Sequence, residues 1–371
     1  MQNLTLKEKI AQMLICGIEG TTVDSAAKEL ICNEKVGGII LYSKNTPTAH
    51  DTFSLTYSLQ ELALATKGSL PLFIAIDEEH GRVSRIKEGT THFIDMASVG
   101  KLNDTEIVKE IASITSRELI ACGINVNFAP VCDVNVNPKN EVIGDRSFSN
   151  DPKVVASLVE AYIKEGVEQK MILSAKHFPG HGDTSIDSHL KLPVVQKTLA
   201  ELEKCELIPF ESAIKAGVQM IMTAHILFPK IDNLPATMSK KIITELLLDR
   251  FWFNGVIISD DMCMGAIAEN YGMEEAFTRS INAGVNMFII SNMLKHKADV
   301  SKIIGDIEKS VKSGVIKEDL IDVSIEKILK LKKKYVKETF TEKVLRERSL
   351  RQKTSLHFAE YLAERKRGMI G

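Results

Sequence analysis

The sequence predicts an α/β chain, a single (β/α)8 TIM-like barrel with a helical C-terminal tail. Three observations carry that expectation. Eight short runs rich in Val, Ile, Met and Leu recur, each followed by a polar or glycine-containing turn and then a longer stretch of helical periodicity. The runs are near-continuous in hydrophobicity instead of alternating, as strands covered by helices on both faces require, so the sheet should be parallel. No G-x-G-x-x-G or G-x-x-x-x-G-K-[ST] loop follows the first run, which disfavours the runner-up, a doubly wound open sheet. Eight alternations in 371 residues fit a closed barrel.

In order, the strands are expected at AQMLICGI (11–18), VGGIILY (36–42), LFIAID (72–77), VNFAPV (126–131), ILSAKH (172–177), MIMTAH (220–225), VIISDD (256–261) and MFIIS (287–291). Helices are expected between them at 105–122, 151–169, 197–217 and 239–250, several with Ser, Asp or Thr near the start to cap the first turn. The barrel takes residues 1–338. Residues 339–371 form a basic extension, helical in composition and poor in large aliphatics, whose charge run reads as a solvated face outside the barrel core.

Composition narrows the function classes. With 44% hydrophobic residues and a formal net charge of -2, the chain can bury a large core and carries no polyanion-binding charge, so nucleic acid is not an expected partner. The opening MQNLTLKEKIAQML places lysines inside an amphipathic pattern and does not read as a signal peptide. No stretch reaches about 18 uninterrupted apolar residues, so no membrane span is expected. The six cysteines lack C-x-x-C spacing, which suits a reducing cytoplasm.

Polar residues gather at the carboxyl ends of the runs: Asp77 with Glu78 and Glu79, Asp133, Lys176 with His177, His225, and Asp260 with Asp261. A barrel brings these ends to one rim, where barrel enzymes build their sites. Within KHFPGHGDTSIDSHL (176–190), Asp187 and His189 lie two apart and would project to the same side of an extended or turn segment. Asp187 would then orient the imidazole of His189 for proton transfer near neutral pH; the bland alternative is a surface pair bonded to its own loop. His177, His181, Asp183, Asp187 and His189 also offer enough ligands for zinc. Pro179, Gly180 and Gly182 break the helix that would align them, and no H-E-x-x-H frame is present. In SDDM (259–262) one aspartate should point into the barrel mouth. Asp260 is then a candidate nucleophile, with a helix N-cap pair as the alternative, and Asp261 fits the cap role better. DEEHGRV (77–83) and GDRSFSNDP (144–152) add Asp, Glu and Arg to the same ends, the donors and acceptors that sugar hydroxyls and amides need; surface salt bridges are the default reading of each.

Together these segments resemble glycoside hydrolase family three, specifically its β-N-acetylglucosaminidase branch. The resemblance runs from TLKEKIAQMLICG through VGGIILY, IDEEHGRV, NFAPVCDVN, GDRSFSNDP, KHFPGHGDTSIDSH, MTAHI, PATMS and GVIISDDM to AGVNMFII, over roughly residues 5–335. It implies Asp260 as nucleophile of a retaining double displacement, and His189, oriented by Asp187, as general acid/base. It implies Asp77, Arg146, Lys176 and His177 as binders of the N-acetylglucosamine ring, with Glu79 and Arg82 retained beside them. It implies no metal or organic cofactor. The expected activity is exo-acting removal of terminal β-N-acetylglucosamine from cell-wall muropeptides or chitooligosaccharides. A histidine is unusual here, since most retaining glycosidases use a second carboxylate; an uncharged base does not repel an anionic substrate or phosphate. Phosphorolysis and a mixed β-glucosidase activity therefore stay open within the family, and a metal-dependent hydrolase or a silent sugar-binding protein outside it. The chain departs from the usual DQEGGRV at Glu78 and His80, and a bulky His80 near the rim would narrow or re-aim the pocket.

Overall fold

The structure, a computed structural model, describes residues 4–184, 192–292, 295–336 and 352–370, the side chains of 352–357 and 368–370 excepted. Eight parallel strands close into a barrel in chain order: β1 (Leu14–Gly17), β2 (Gly38–Leu41), β3 (Phe73–Ile76), β4 (Val126–Asn127), β5 (Ile172–Phe178), β6 (Met220–Thr223), β7 (Val256–Asp261) and β8 (Met287–Ile290). Closure is made by β1 against β8, with Leu14 opposite Phe288 and Cys16 opposite Ile290. Every residue of β2, β3, β6 and β8 is buried, which is why these runs read as continuous and not alternating. Each fully buried Ile, Leu or Phe contributes about 1.5–3 kcal/mol against its exposed state.

The elements shift where local chemistry overrides the pattern. Thr5 and Glu8 form a capping box that starts the helix Leu6–Gln12, so Ala11 and Gln12 end a helix and β1 begins only at Leu14. β4 is cut to two residues, because Pro130 has no N–H to give the ladder. The expected 197–217 helix is two helices, Leu199–Glu203 and Leu207–Lys215. Pro209 removes a helical donor and its ring would clash with the Cys205 carbonyl, so the chain breaks there. The helix Lys241–Arg250 is wound with i→i+5 bonds, and Phe251 N–H donates to Leu246 O at its end. Thr105–Ala121 and Pro152–Glu168 match expectation, capped by Asp104 and Asp151.

Two irregularities matter for the site. The β5–β6 register shifts between Ala175 and Phe178, and the β7–β8 register shifts between Ile258 and Asp261. Such bulges re-aim side chains at a barrel rim. They bracket Lys176 with His177, and Asp260. At the opposite end the helix Glu318–Tyr335 sends Lys332 under the barrel, where its ammonium donates to Gln12 Oε1 at 2.7 Å and lies 5.0 Å from the centre of the Phe73 ring.

The tail helix Gln352–Ile370 packs back on the chain that follows β3. Leu362 is fully buried, the Phe358 ring meets the edge of Phe93 with centroids 6.0 Å apart, and Lys366 donates to Asp95. Among the described residues no helix is long and apolar enough to cross a membrane.

Candidate active site

The rim is organised around a buried charge cluster. Lys176, at the β5 bulge, donates to Asp77 Oδ1 at 2.7 Å and lies 2.5 Å from Glu79 Oε1. Glu79 is also gripped by Arg146, Nε to Oε2 at 2.7 Å and Nη2 to Oε1 at 2.8 Å, a bidentate fork. The Lys176 and Glu79 side chains are each 2% exposed, while Asp77 keeps 17%. Burial pushes the Glu79 carboxyl up, but Arg146 and Lys176 outweigh it and hold the group well below the ordinary carboxylate range. Glu79 is thus a permanent anion that aims two cations, and Asp77 is the carboxylate of the set left facing the opening.

A second cluster supports the chain after β5. His177 Nδ1 is 2.7 Å from Asp133 Oδ2, and the His181 N–H donates to Asp133 Oδ1 at 2.6 Å. Burial would raise Asp133, yet His177 and these donors keep it low. With Nδ1 tied to a carboxylate, Nε2 of His177 is the ring nitrogen left for other partners. Asn140 donates to His181 O at 2.7 Å, Asn137 donates to Thr184 O at 3.0 Å, and Gly182 lies so close to Val134 that a Cβ there would sit 1.7 Å from its carbonyl oxygen. On the far side of the loop Val195 N–H donates to Leu227 O at 2.9 Å, and Lys197 pairs with Asp183 and Glu206. Both stems of the 185–191 span are therefore anchored on the rim.

Asp260 is the penultimate residue of β7, half-buried, its Oδ1 accepting the Asp261 N–H at 2.8 Å. Asp261 is buried and accepts from Cys263 N–H at 3.0 Å, from Ser291 N–H at 3.1 Å and from the Ser291 hydroxyl. Burial raises its carboxyl. The two neighbours thus differ in kind: Asp261 ties β7 to β8, and Asp260 is the more open carboxylate. His225, two residues past β6, is fixed between Thr237 Oγ1 at 2.9 Å and Asp261 O at 3.2 Å.

The model of the glycosyl hydrolase family 3 N-terminal domain matches residues 5–331. The chain belongs to glycosyl hydrolase family 3. Similar proteins are described as beta-hexosaminidases. The chain is 38% identical to beta-hexosaminidase A of Pseudoalteromonas piscicida over 86% of this chain and 57% of that protein. It is 36% identical to a beta-hexosaminidase of Nitrosomonas eutropha over 75% of this chain and 80% of that one. A solved family 3 beta-N-acetylglucosaminidase from Paenibacillus sp. is 34% identical, with a TM-score of 0.89, over 98% of this chain and 69% of that chain. The chain spans little more than half the length of the Pseudoalteromonas relative.

Of the residues expected from sequence, Asp77, Glu79, Arg146 and Lys176 come together on the barrel rim, His177 follows Lys176 and is held on Asp133, and Asp260 stands at the same end of the barrel. Asp187 and His189 lie outside the described residues, as do two of the five side chains of the metal cage considered from sequence. Among the described residues no three His, Cys, Asp or Glu are grouped to hold a metal ion. Arg82 is not part of the cluster: its side chain is 46% exposed, and it donates to Asp145 and to the carbonyls of Glu141, Val142 and Ile143, holding the 141–145 loop. His80 does not narrow the mouth, because its ring is buried behind the turn, 2.7 Å from Thr115 Oγ1. Arg85 was not foreseen from sequence: its Nη2 lies 3.7 Å from Asp77 Oδ2, its guanidinium lies 5.8 Å from the centre of the Tyr42 ring, and its Nε is buried without a partner among the described residues. Its signal was a second arginine three residues after Arg82, on the same turn. Asp133, Asn137 and Asn140 were missed as loop supports; they sit in NFAPVCDVN and just after it.

Proposed function

We propose that the chain is a retaining exo-β-N-acetylglucosaminidase that removes terminal N-acetylglucosamine from cell-wall muropeptides or chitooligosaccharides. The observation that carries this reading is the Asp77–Lys176–Glu79–Arg146 cluster on the same barrel rim as Asp260, in a family 3 chain resembling proteins described as beta-hexosaminidases and a beta-N-acetylglucosaminidase.

In the proposed reaction Asp77 accepts from sugar hydroxyls while Lys176 and Arg146, aimed by Glu79, donate to them. Arg85 adds donors beside Asp77. His177, with Nδ1 held by Asp133, presents Nε2 to the same ring. Asp260 attacks the anomeric carbon as His189, oriented by Asp187, protonates the leaving oxygen. The glycosyl-Asp260 ester forms and the glycosidic C–O bond breaks. His189 then takes a proton from water, which attacks the same carbon, frees Asp260 and returns the β configuration. The activity test is hydrolysis of p-nitrophenyl N-acetyl-β-glucosaminide. Turnover is expected in the wild type and loss of about a thousandfold or more in Asp260→Ala; inverted product, or full activity in that variant, would overturn the reading.

A further inference from the structure

Behind the Asp77–Glu79 cluster, on the side of the turn that meets the helix Thr105–Ala121, two buried polar atoms lack hydrogen-bond partners among the described residues: Glu78 Oε1 and His80 Nδ1. They face one another at 3.6 Å, a few tenths of an ångström beyond hydrogen-bond contact, in residues 4% exposed each. They are also the two positions at which this turn departs from the usual family pattern.

The surrounding bonds favour one tautomer of His80. The Thr115 hydroxyl donates to Ile111 O at 2.7 Å, and a carbonyl can only accept. With the hydroxyl hydrogen on Ile111 O, the Thr115 oxygen, 2.7 Å from His80 Nε2, receives the imidazole N–H. A neutral imidazole has one N–H, so Nδ1 carries a lone pair and needs a donor. The group facing it is the Glu78 carboxyl. The other Glu78 oxygen is committed, accepting the Arg85 N–H at 2.8 Å, and the Glu78 backbone is clamped by Asn127 at 3.0 Å through both its N–H and its carbonyl.

We propose that Glu78 is kept as the neutral acid, its proton shared with His80 Nδ1, and that the pair is a positioning element which fixes Arg85 opposite Asp77. Burial supports this arrangement from both sides: it raises the Glu78 carboxyl, outweighing the hydrogen bonds from Ser84, Arg85 and Ile86 that favour the anion, and it lowers His80 to about 3. The other titratable groups around the pair are Glu79 and His92 on its own loop, Glu118 and Cys122 at the end of the Thr105–Ala121 helix, and Tyr162 from the helix Pro152–Glu168. Glu118 is held on Thr91, and Glu79 on Lys176 and Arg146. An ionised Glu78 would set a further carboxylate beside Asp77 and Glu79. The neutral acid ties down the Arg85 backbone without competing for the Arg85 and Lys176 cations.

The effect on turnover rests on the sugar-site reading above; the protonation state does not, and the two are tested apart. An infrared difference spectrum of wild type against Glu78→Gln at neutral pH should lose one protonated-carboxyl C=O band. A carboxylate band lost in its place would overturn the proposal, even if the protein had no glycosidase activity. In kinetics, Gln can still donate to Nδ1 and accept from Arg85, so Glu78→Gln should keep the KM for p-nitrophenyl N-acetyl-β-glucosaminide within about threefold. Glu78→Leu loses both bonds and should raise KM about tenfold, with kcat changing less. A wild-type KM in a folded Glu78→Leu protein would overturn the positioning role.

Discussion

At the scale of single residues, the site depends on charges that are affordable only together. Lys176 is nearly inaccessible and sits between Asp77 and Glu79, so Lys176→Met should strand the buried Glu79 with Arg146 alone. Breaking a buried pair by removing one partner typically costs about 3–5 kcal/mol, so the variant is expected to melt markedly lower and to lose most activity. A melting temperature unchanged by calorimetry would show that the ammonium contributes little. These residues were legible in sequence because they end apolar runs, where a barrel fold leaves side chains on the rim. Arg82 and His80 were less legible for a physical reason: the turn after β3 reverses direction, with His80 at φ 67° and Gly81 at φ 57°, so alternation no longer tells which side chain faces the mouth. Arg85 gained its place through the same reversal.

At the scale of elements, strand existence followed from hydrophobic runs, whereas boundaries followed from chemistry that periodicity does not encode. The Thr5–Glu8 box, Pro130 and Pro209 each moved an edge, and the bulges that bracket Lys176, His177 and Asp260 leave no mark in an apolar pattern. The helix Glu318–Tyr335 carries a separate consequence. Burial lowers the Lys332 amine from 10.5 to about 7, with Gln12 and the Phe73 face returning part of what water would supply. Between those values the unfolded chain binds more protons than the folded one, so stability rises with pH across the window, and the cost is fully present below about pH 7. The limiting slope is about 1.4 kcal/mol per pH unit. Lys332→Met should be more stable than wild type at pH 6 and should lose that slope. Denaturant melts at pH 6, 8 and 10 check this, and parallel pH profiles for the two proteins would contradict it.

At the scale of the whole molecule, barrel closure brings the strand ends that carry residues 77, 176 and 260 to one face although they are far apart in the chain. That arrangement was readable from eight alternations. The docking of the tail was not, since its basic composition outweighs the few apolar residues, Phe358 and Leu362 among them, that seat it on the loop after β3. Leu362→Ala should cost about 2–5 kcal/mol if the tail folds cooperatively with the barrel, and a two-state melt displaced to lower temperature is the expected result. The central claim is that Asp260 becomes covalently bound to the sugar. The most direct measurement is mass spectrometry after reaction with a slow fluorinated N-acetylglucosaminyl fluoride. The account predicts one sugar residue added to the peptide containing Asp260, absent in Asp260→Ala; an adduct on another carboxylate, or turnover with inverted product and no adduct, would contradict it.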